Sequence, residues 1–507
     1  MPTMHRDQRN FLPLITIVLA LVLLSSVLMG LHAPTSLGDG IRHHTLASLL
    51  TKNGVRSFGG WGDILYGGYF RLHNSDPWFL THVILMPLGG FESIVAQRIF
   101  IVLSISLLSL ALLYAMSNLH LSPTTKSVLL VLLLLGHVQF SMRLLIGRPL
   151  ILMVALSIVV WSTALQKKAV ASGVLLAIAT LLSHLFLFPF FIVVCAGVWL
   201  WTLHDKRSAI EMLVAGATGV AAGFALHPQS MEYMHFFFTV FLRIPFMQNL
   251  PLGTELQSGI GRMAAPIALA GAAILLAYYA SHACGITKKQ LHEKGISLTA
   301  FIACVFLLGM CMWVRMLDFL WPVLIVLLAQ LLSLQTDMAA KAAKDLLPSF
   351  AVRNHVPLLI LLLVVGVNMG KMHYSFRSTD LERMLTHYSA PLESIPSGAA
   401  VLNIDWDLFP ALFTVRPDLR FARGMDPSLD FVANPKVTGL LLAVRSSQPE
   451  KIDWESWERD LAALYPSDYL VIRIPEHVRV LPYLQSLTSL TEVSSGEQIA
   501  VFRMSHS

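Results

Sequence analysis

The chain has 507 residues, 55% of them hydrophobic and only 13% charged, and its formal net charge is +6. Soluble globular chains carry about 25% charged residues, so this deficit excludes an ordinary soluble enzyme and points to a polytopic α-helical membrane protein. The positive charge is spread among several segments and forms no single basic patch, which excludes nucleic acid as a partner. The cysteines are Cys195, Cys284, Cys304 and Cys311. None lies in the C-terminal tail, so no disulfide is expected there, and their spacing does not suggest zinc.

The segment Met1–Asn10 holds Arg6 and Arg9 and precedes the apolar run Phe11–Leu31. A span needs about 20 apolar residues, and no small-x-small cleavage site follows Leu31, so the run reads as an uncleaved first span. A long loop, 32–94, comes next. It predicts a helix near Ile41–Asn53, a Gly/aromatic stretch Phe58–Tyr69 and a short helix from Pro77 to Met86, with Asp76 as N-cap and Pro77 in the first turn. Ten further apolar runs follow, roughly 95–117, 125–144, 149–166, 169–186, 187–203, 209–226, 264–281, 296–314, 316–334 and 355–370, for about eleven spans in all. A second long loop, 227–263, opens on His227-Pro228 and carries an aromatic helix over Tyr233–Phe241.

Residues 375–507 form a water-soluble tail. Its strands are expected at Ala400–Ile404, Gly439–Val444, Tyr469–Ile474 and Gln498–Arg503. Helices are expected at Asp380–Tyr388, Trp454–Tyr465 and His477–Ser486. That alternation predicts a small α/β layer domain. The expected organisation is therefore a transmembrane domain over 1–374 and an extracytoplasmic α/β domain over 375–507. With the N-terminus cytoplasmic, nine lysines fall in inside loops, and only Lys52 and Lys371 fall in outside loops before the tail. This separation follows the positive-inside rule and puts the tail outside.

The polar residues between the runs are where chemistry is expected. Asp39 stands in Gly38-Asp39-Gly40, four residues before His43, with His44 beside it. On a helix that spacing turns Asp39 and His43 the same way, suiting a general base or part of a divalent metal site. The same aspartate also reads as an ordinary helix cap. Asp76 and His82 form a second pair, and His82 lies in a run otherwise fit for lipid, where polar groups face protein or water. His184, His227, Arg148 and Arg315 complete the candidates, with Asp318 placed to neutralise Arg315. Arginine at a membrane face grips phosphate or carboxylate with two donors, or simply snorkels to the interface.

A first span, a long loop opening on an acidic residue, a short helix after a second aspartate, many further spans and a C-terminal α/β tail together resemble the C-type (GT-C) membrane glycosyltransferases of bacteria. Val401–Pro410 and Gly424-Met425-Asp426-Pro427 strengthen the resemblance. It implies a multi-pass protein of the bacterial inner membrane. Such a protein transfers a sugar from a polyprenyl-phosphate donor to a glycan, lipid or protein acceptor at the outer face, with inversion at the sugar carbon. It implies Asp39 as base, Asp76 at the second acidic position, and Arg315 and Arg148 on the phosphate. His43, His44, His82, His184 and His227 are the remaining substrate-side candidates. If a divalent metal takes part, Asp39, His43 and Asp76 are its candidate ligands. The Trp-Trp-Asp motif of oligosaccharyltransferases is missing, which argues against asparagine glycosylation. Two other functions fit the same layout, a transporter or flippase of lipid-linked sugars and a non-catalytic assembly scaffold. The first is not favoured, because the chain shows no internal repeat and its polar candidates gather at one predicted face; under the second, Asp405, Asp407 and Asp426 form a recognition surface, though they also read as simple strand-end turns.

Overall fold

The computed structural model describes residues 38–247, 271, 287–312, 316–342, 365–372, 381–445 and 449–505. The predicted first span, most of the predicted span at 264–281, and Arg315 lie outside the described residues. The described chain forms two compact units. One contains 99–225 with the described parts of 254–378, and the other contains 38–98, 226–247 and 381–505. The expected boundary at residue 374 divides the chain but not these units, because the tail shares its unit with both long loops.

The first unit is helical. Among the described residues, Ser93–Ala115, His184–Thr202, Lys206–Leu226 and Leu317–Leu334 are long and apolar enough to cross a membrane. The run predicted as one span at 125–144 is a broken pair instead, Pro123–Leu135 and Val138–Leu145, bent by 76°. Two residues cause the break. A Cβ at Gly136 would sit 2.4 Å from the Leu132 carbonyl oxygen. His137 then leaves the helix, and its Nδ1 accepts from the Phe140 amide to cap the next one. The interruption at Ser183–Pro189 is resolved similarly. Ser183 Oγ accepts from the Leu185 amide at 3.3 Å and starts a tight turn over His184–Phe186 before the next helix. The helices Ala169–Leu182 and Lys206–Leu226 approach through glycines, with backbone contact where Gly219 meets Gly173. Helices in lipid pack by such close approach, because no hydrophobic effect drives them together. Asp318 is fully buried and pairs with Arg143 at 3.0 Å, so the predicted neutralisation of Arg315 has another candidate cation beside it.

The second unit is built on a five-stranded sheet of order β2-β1-β3-β5-β4. The strands are β1 Ala400–Asn403, β2 Arg420–Phe421, β3 Tyr469–Arg473, β4 Leu490–Ser495 and β5 Ile499–Met504. β2, β1 and β3 are parallel, and β5 and β4 are antiparallel to their neighbours. One face, through Leu402, Ile404, Leu470, Ile472, Ala500 and Phe502, packs on Leu441, Trp457, Leu461 and Leu484, which is the period-two pattern of a strand with one face on a helical layer. The segment expected as a strand at Gly439–Val444 lies inside the helix Pro435–Arg445. Asn434 caps that helix through its Oδ1, which accepts from the Val437 amide, and Pro435 suits the first turn.

The first loop is stitched to this sheet. Leu65 bridges to Phe421 in parallel, and the Tyr66 amide donates to the Phe421 carbonyl at 2.9 Å. The loop thereby covers the exposed edge of β2. Tyr66 enters the sheet core and hydrogen-bonds Ser467. Gly67 and Gly68 permit the approach, since a Cβ on either would fall within 2.2 Å of Tyr465 or Asp430 side-chain atoms.

Candidate functional site

The helix Gly38–Asn53 presents Arg42, His43 and His44 from its second turn, all buried. The short helix Phe79–Leu85 presents His82, and the turn before it presents Asp76. Trp61 comes from the tight turn Trp61–Asp63. These residues meet inside the second unit.

Asp76 and His82 are almost fully enclosed, at 1% and 0% exposure. Asp76 Oδ2 accepts from His82 Nδ1 at 2.6 Å. The other face of the His82 ring, Nε2, lies 2.7 Å from His43 Nδ1. An ionised carboxylate only accepts, so Asp76 fixes the proton on His82 Nδ1 and leaves His82 Nε2 as an acceptor. His43 Nδ1 then donates, and His43 Nε2 is the outer end of the chain. A proton taken up there can move inward to His82 by exchanging roles across the 2.7 Å contact. This is a linear Asp–His–His proton relay held in a low-dielectric interior, where each charged hydrogen bond is strengthened.

The carboxylate is held in orientation from several sides. Asp76 Oδ1 accepts from the Trp61 indole and from the Trp78 amide, both at 3.2 Å. The helix expected from Pro77 starts at Phe79 instead, and Asp76 does not cap it. The carboxylate is committed to the relay. The second loop holds the aspartate backbone. His227 Nε2 donates to the Asp76 carbonyl at 3.0 Å, and the Asp76 amide donates to Gln229 Oε1 at 3.3 Å. His227 stacks on Tyr233 with ring centres 4.3 Å apart. Burial lowers the His227 pKa, against the opposing effect of its bond to Asp76, so the imidazole is a neutral structural donor. Burial, and then the positive charge His82 would carry when protonated, pull His44 down to about 3. The half-buried Trp78 packs edge-on against His43 at 5.2 Å, and the Arg42 guanidinium lies 5.1 Å from the Trp78 ring centre.

Of the candidates read from the sequence, His43, His44, Asp76, His82 and His227 are brought together. Asp39 lies in the first turn of the same helix as His43, and its side chain is outside the described residues. Arg148 and His184 belong to the first unit. Arg148 is half-buried and follows Gly147, whose φ is 70°, while His184 is buried in the turn after Ser183. Sequence reasoning missed Trp61 and Gln229. Their signal was weak, one tryptophan in a Gly/aromatic stretch and one glutamine two residues after His227. Among the described residues no three His, Cys, Asp or Glu side chains are grouped to hold a metal ion. His43 Nδ1 and both Asp76 carboxylate oxygens are spent on hydrogen bonds within the protein. Of the three candidate ligands, Asp76 therefore has both carboxylate oxygens committed to protein donors.

The fold defines a polytopic helical membrane protein that carries a small α/β sheet. It is similar to the crystal structures of ArnT from Cupriavidus metallidurans. Against the apo form the TM-score is 0.56 at 14% identity, covering 96% of this chain and 97% of that one. Against the form bound to undecaprenyl phosphate the TM-score is 0.58, with the same identity and coverage. At that identity the likeness is one of fold. No family model and no curated protein sequence matches the chain.

Proposed function

We propose that the chain is a membrane glycosyltransferase that moves a sugar from a polyprenyl-phosphate carrier to a hydroxyl acceptor. The observation that carries this reading is the enclosed Asp76–His82–His43 relay, in a fold shared end to end with a protein crystallised on undecaprenyl phosphate. In the proposed step the acceptor oxygen attacks the anomeric carbon from the face opposite the phosphate. The carbon–oxygen bond to phosphate breaks, and the phosphate leaves with the bonding electrons. The acceptor proton passes to the Asp76–His82–His43 chain, and the Asp76 carboxylate stabilises the positive charge that develops along it. Attack from the opposite face inverts the sugar carbon. Arg148 and Arg315 keep the phosphate-stabilising role that the resemblance implies.

The proposal also includes the setting. About eleven spans, a cytoplasmic N-terminus and an outward tail in the bacterial inner membrane are part of this reading, supported by the lysine distribution. The acceptor is a glycan, lipid or protein hydroxyl outside the cytoplasm.

The test is a transfer assay with purified protein and synthetic polyprenyl-phosphate sugars. Asp76→Asn places an amide N–H2 against His82 Nδ1, forces the other tautomer and reverses the relay. Turnover should fall about a hundred- to ten-thousand-fold, with expression kept. His43→Gln should fall similarly. If His43→Gln transfers normally while Asp39→Asn is inactive, the base role belongs to Asp39 and not to the relay. If wild type moves lipid-linked sugar across vesicles without transferring it, the chain is a flippase.

A further inference from the structure

β1 is flanked by β2 on one side and β3 on the other, both parallel to it. The chain therefore leaves β1 in one direction and later recrosses it in the other. The segment after β1 leads to β2 on one side and the segment after β3 leads to β4 and β5 on the other, and ligands of parallel sheets bind in the crevice at the carboxyl ends of two such neighbours.

A polar cluster stands at this edge. Asp405, Trp406 and Asp407 follow β1, Arg473 ends β3, His477 follows it by one turn, and Arg445 closes the helix Pro435–Arg445. At its base, both Asp405 oxygens lie 3.0 Å from His477 Nε2, with both residues buried. Burial alone would raise the Asp405 carboxyl. The His477 hydrogen bond and charge, aided by Arg473 and Arg445, outweigh it and hold the group below the usual carboxylate range.

The upper part of the cluster is loosely paired and open to water. Arg445 Nη2 lies 3.3 Å and Arg473 Nη1 3.8 Å from one oxygen of Asp407, and the Arg445 and Asp407 side chains are each 35% exposed. Tight charged hydrogen bonds are shorter, about 2.7–2.9 Å. Arg445 also stands over the Trp406 ring at 5.6 Å. The second Asp407 oxygen, Arg473 Nε and His477 Nδ1 are enclosed with no hydrogen-bond partner among the described residues. Buried polar groups are normally paired, so the protein alone leaves this cluster incomplete.

We propose that this crevice binds a neutral saccharide. Neighbouring sugar hydroxyls both donate and accept, so one pair can satisfy Asp407 and a guanidinium together. The half-buried Trp406 offers an apolar face to the C–H face of a sugar ring. The charge balance disfavours an anion, because Glu476 lies 2.9 Å from Arg473 and the cluster has no positive surplus. Binding here requires no transfer reaction, so the inference goes beyond the proposed function.

The test uses the full chain in detergent micelles and saturation-transfer NMR with glucose, galactose, mannose and N-acetylglucosamine. Glucose 6-phosphate and inorganic phosphate serve as anionic probes. At least one neutral sugar should bind, and Asp407→Asn should weaken it about tenfold or more, the loss expected for one charged hydrogen bond. Trp406→Ala should do the same, and Asp76→Asn should leave binding unchanged. If Trp406→Ala does not fold, the Asp407→Asn comparison decides. The proposal is overturned if no neutral sugar binds, if only the phosphorylated probes bind, or if neutral-sugar binding survives Asp407→Asn unchanged.

Discussion

At the level of single residues, burial sets the chemistry. His44 sits beside the relay with its pKa pulled from 6.5 to about 3. Between those values the unfolded chain binds the proton and the folded one does not. Stability is therefore full above about pH 6.5 and falls as pH drops through that window. Thermal unfolding in detergent should show a lower midpoint at pH 5 than at pH 8, and His44→Phe should flatten the difference. A midpoint that rises on acidification would contradict the burial argument. Asp76 shows how far a residue's role can be read in advance. Its place before Pro77 signals a helix start, and this made a cap the plain alternative to chemistry. The carboxylate instead accepts from His82, Trp61 and the Trp78 amide. Trp61 lies fifteen residues back along the loop, and only folding brings it there. His82 was legible because a histidine in an apolar run needs a partner. Its pairing with Asp76 was legible too, whereas its second partner, His43, was not.

At the level of elements, local signals held where one rule dominated and failed where two competed. β1, β3 and β5 match their apolar runs, and the helix Gly38–Asn53 matches its expected place. β2 is two residues long and exists by pairing with β1, while β4 is exposed along most of its length at the sheet edge. Neither carries a strong pattern of its own. Gly439–Val444 is apolar enough for a strand, but the Asn434-Pro435 start decides for helix. Glycines carry the closest approaches. Gly60 has φ 135°, and a Cβ there would fall 2.3 Å from Asn74 Oδ1 and 2.8 Å from the Ser75 amide. Gly60→Ala should destabilise the loop by about 1–3 kcal/mol and lower turnover with it, since Trp61 is the next residue. In the helical unit, Gly219→Leu should separate Lys206–Leu226 from Ala169–Leu182, because the added group meets the Gly173 backbone. Reduced thermal stability in micelles would show it, and an unchanged midpoint would contradict the packing.

At the level of the whole molecule, composition was enough to give the membrane class, and the switch from apolar runs to a mixed tail was enough to give the α/β sheet. The sharing of one compact unit by the tail and both loops was not legible, because it depends on pairings such as Leu65 with Phe421 and Tyr66 with Ser467, hundreds of residues apart. The same unit gathers the relay. With both Asp76 oxygens engaged by protein hydrogen bonds, transfer should withstand EDTA at concentrations that strip divalent ions. Loss of activity with EDTA and recovery with added metal would require Asp76 to rearrange as a ligand. The most direct measurement is sugar transfer from a synthetic polyprenyl-phosphate donor by purified wild type and Asp76→Asn. The account predicts product from wild type, with the anomeric centre inverted, and almost none from a folded Asp76→Asn. Equal product from both proteins would contradict it.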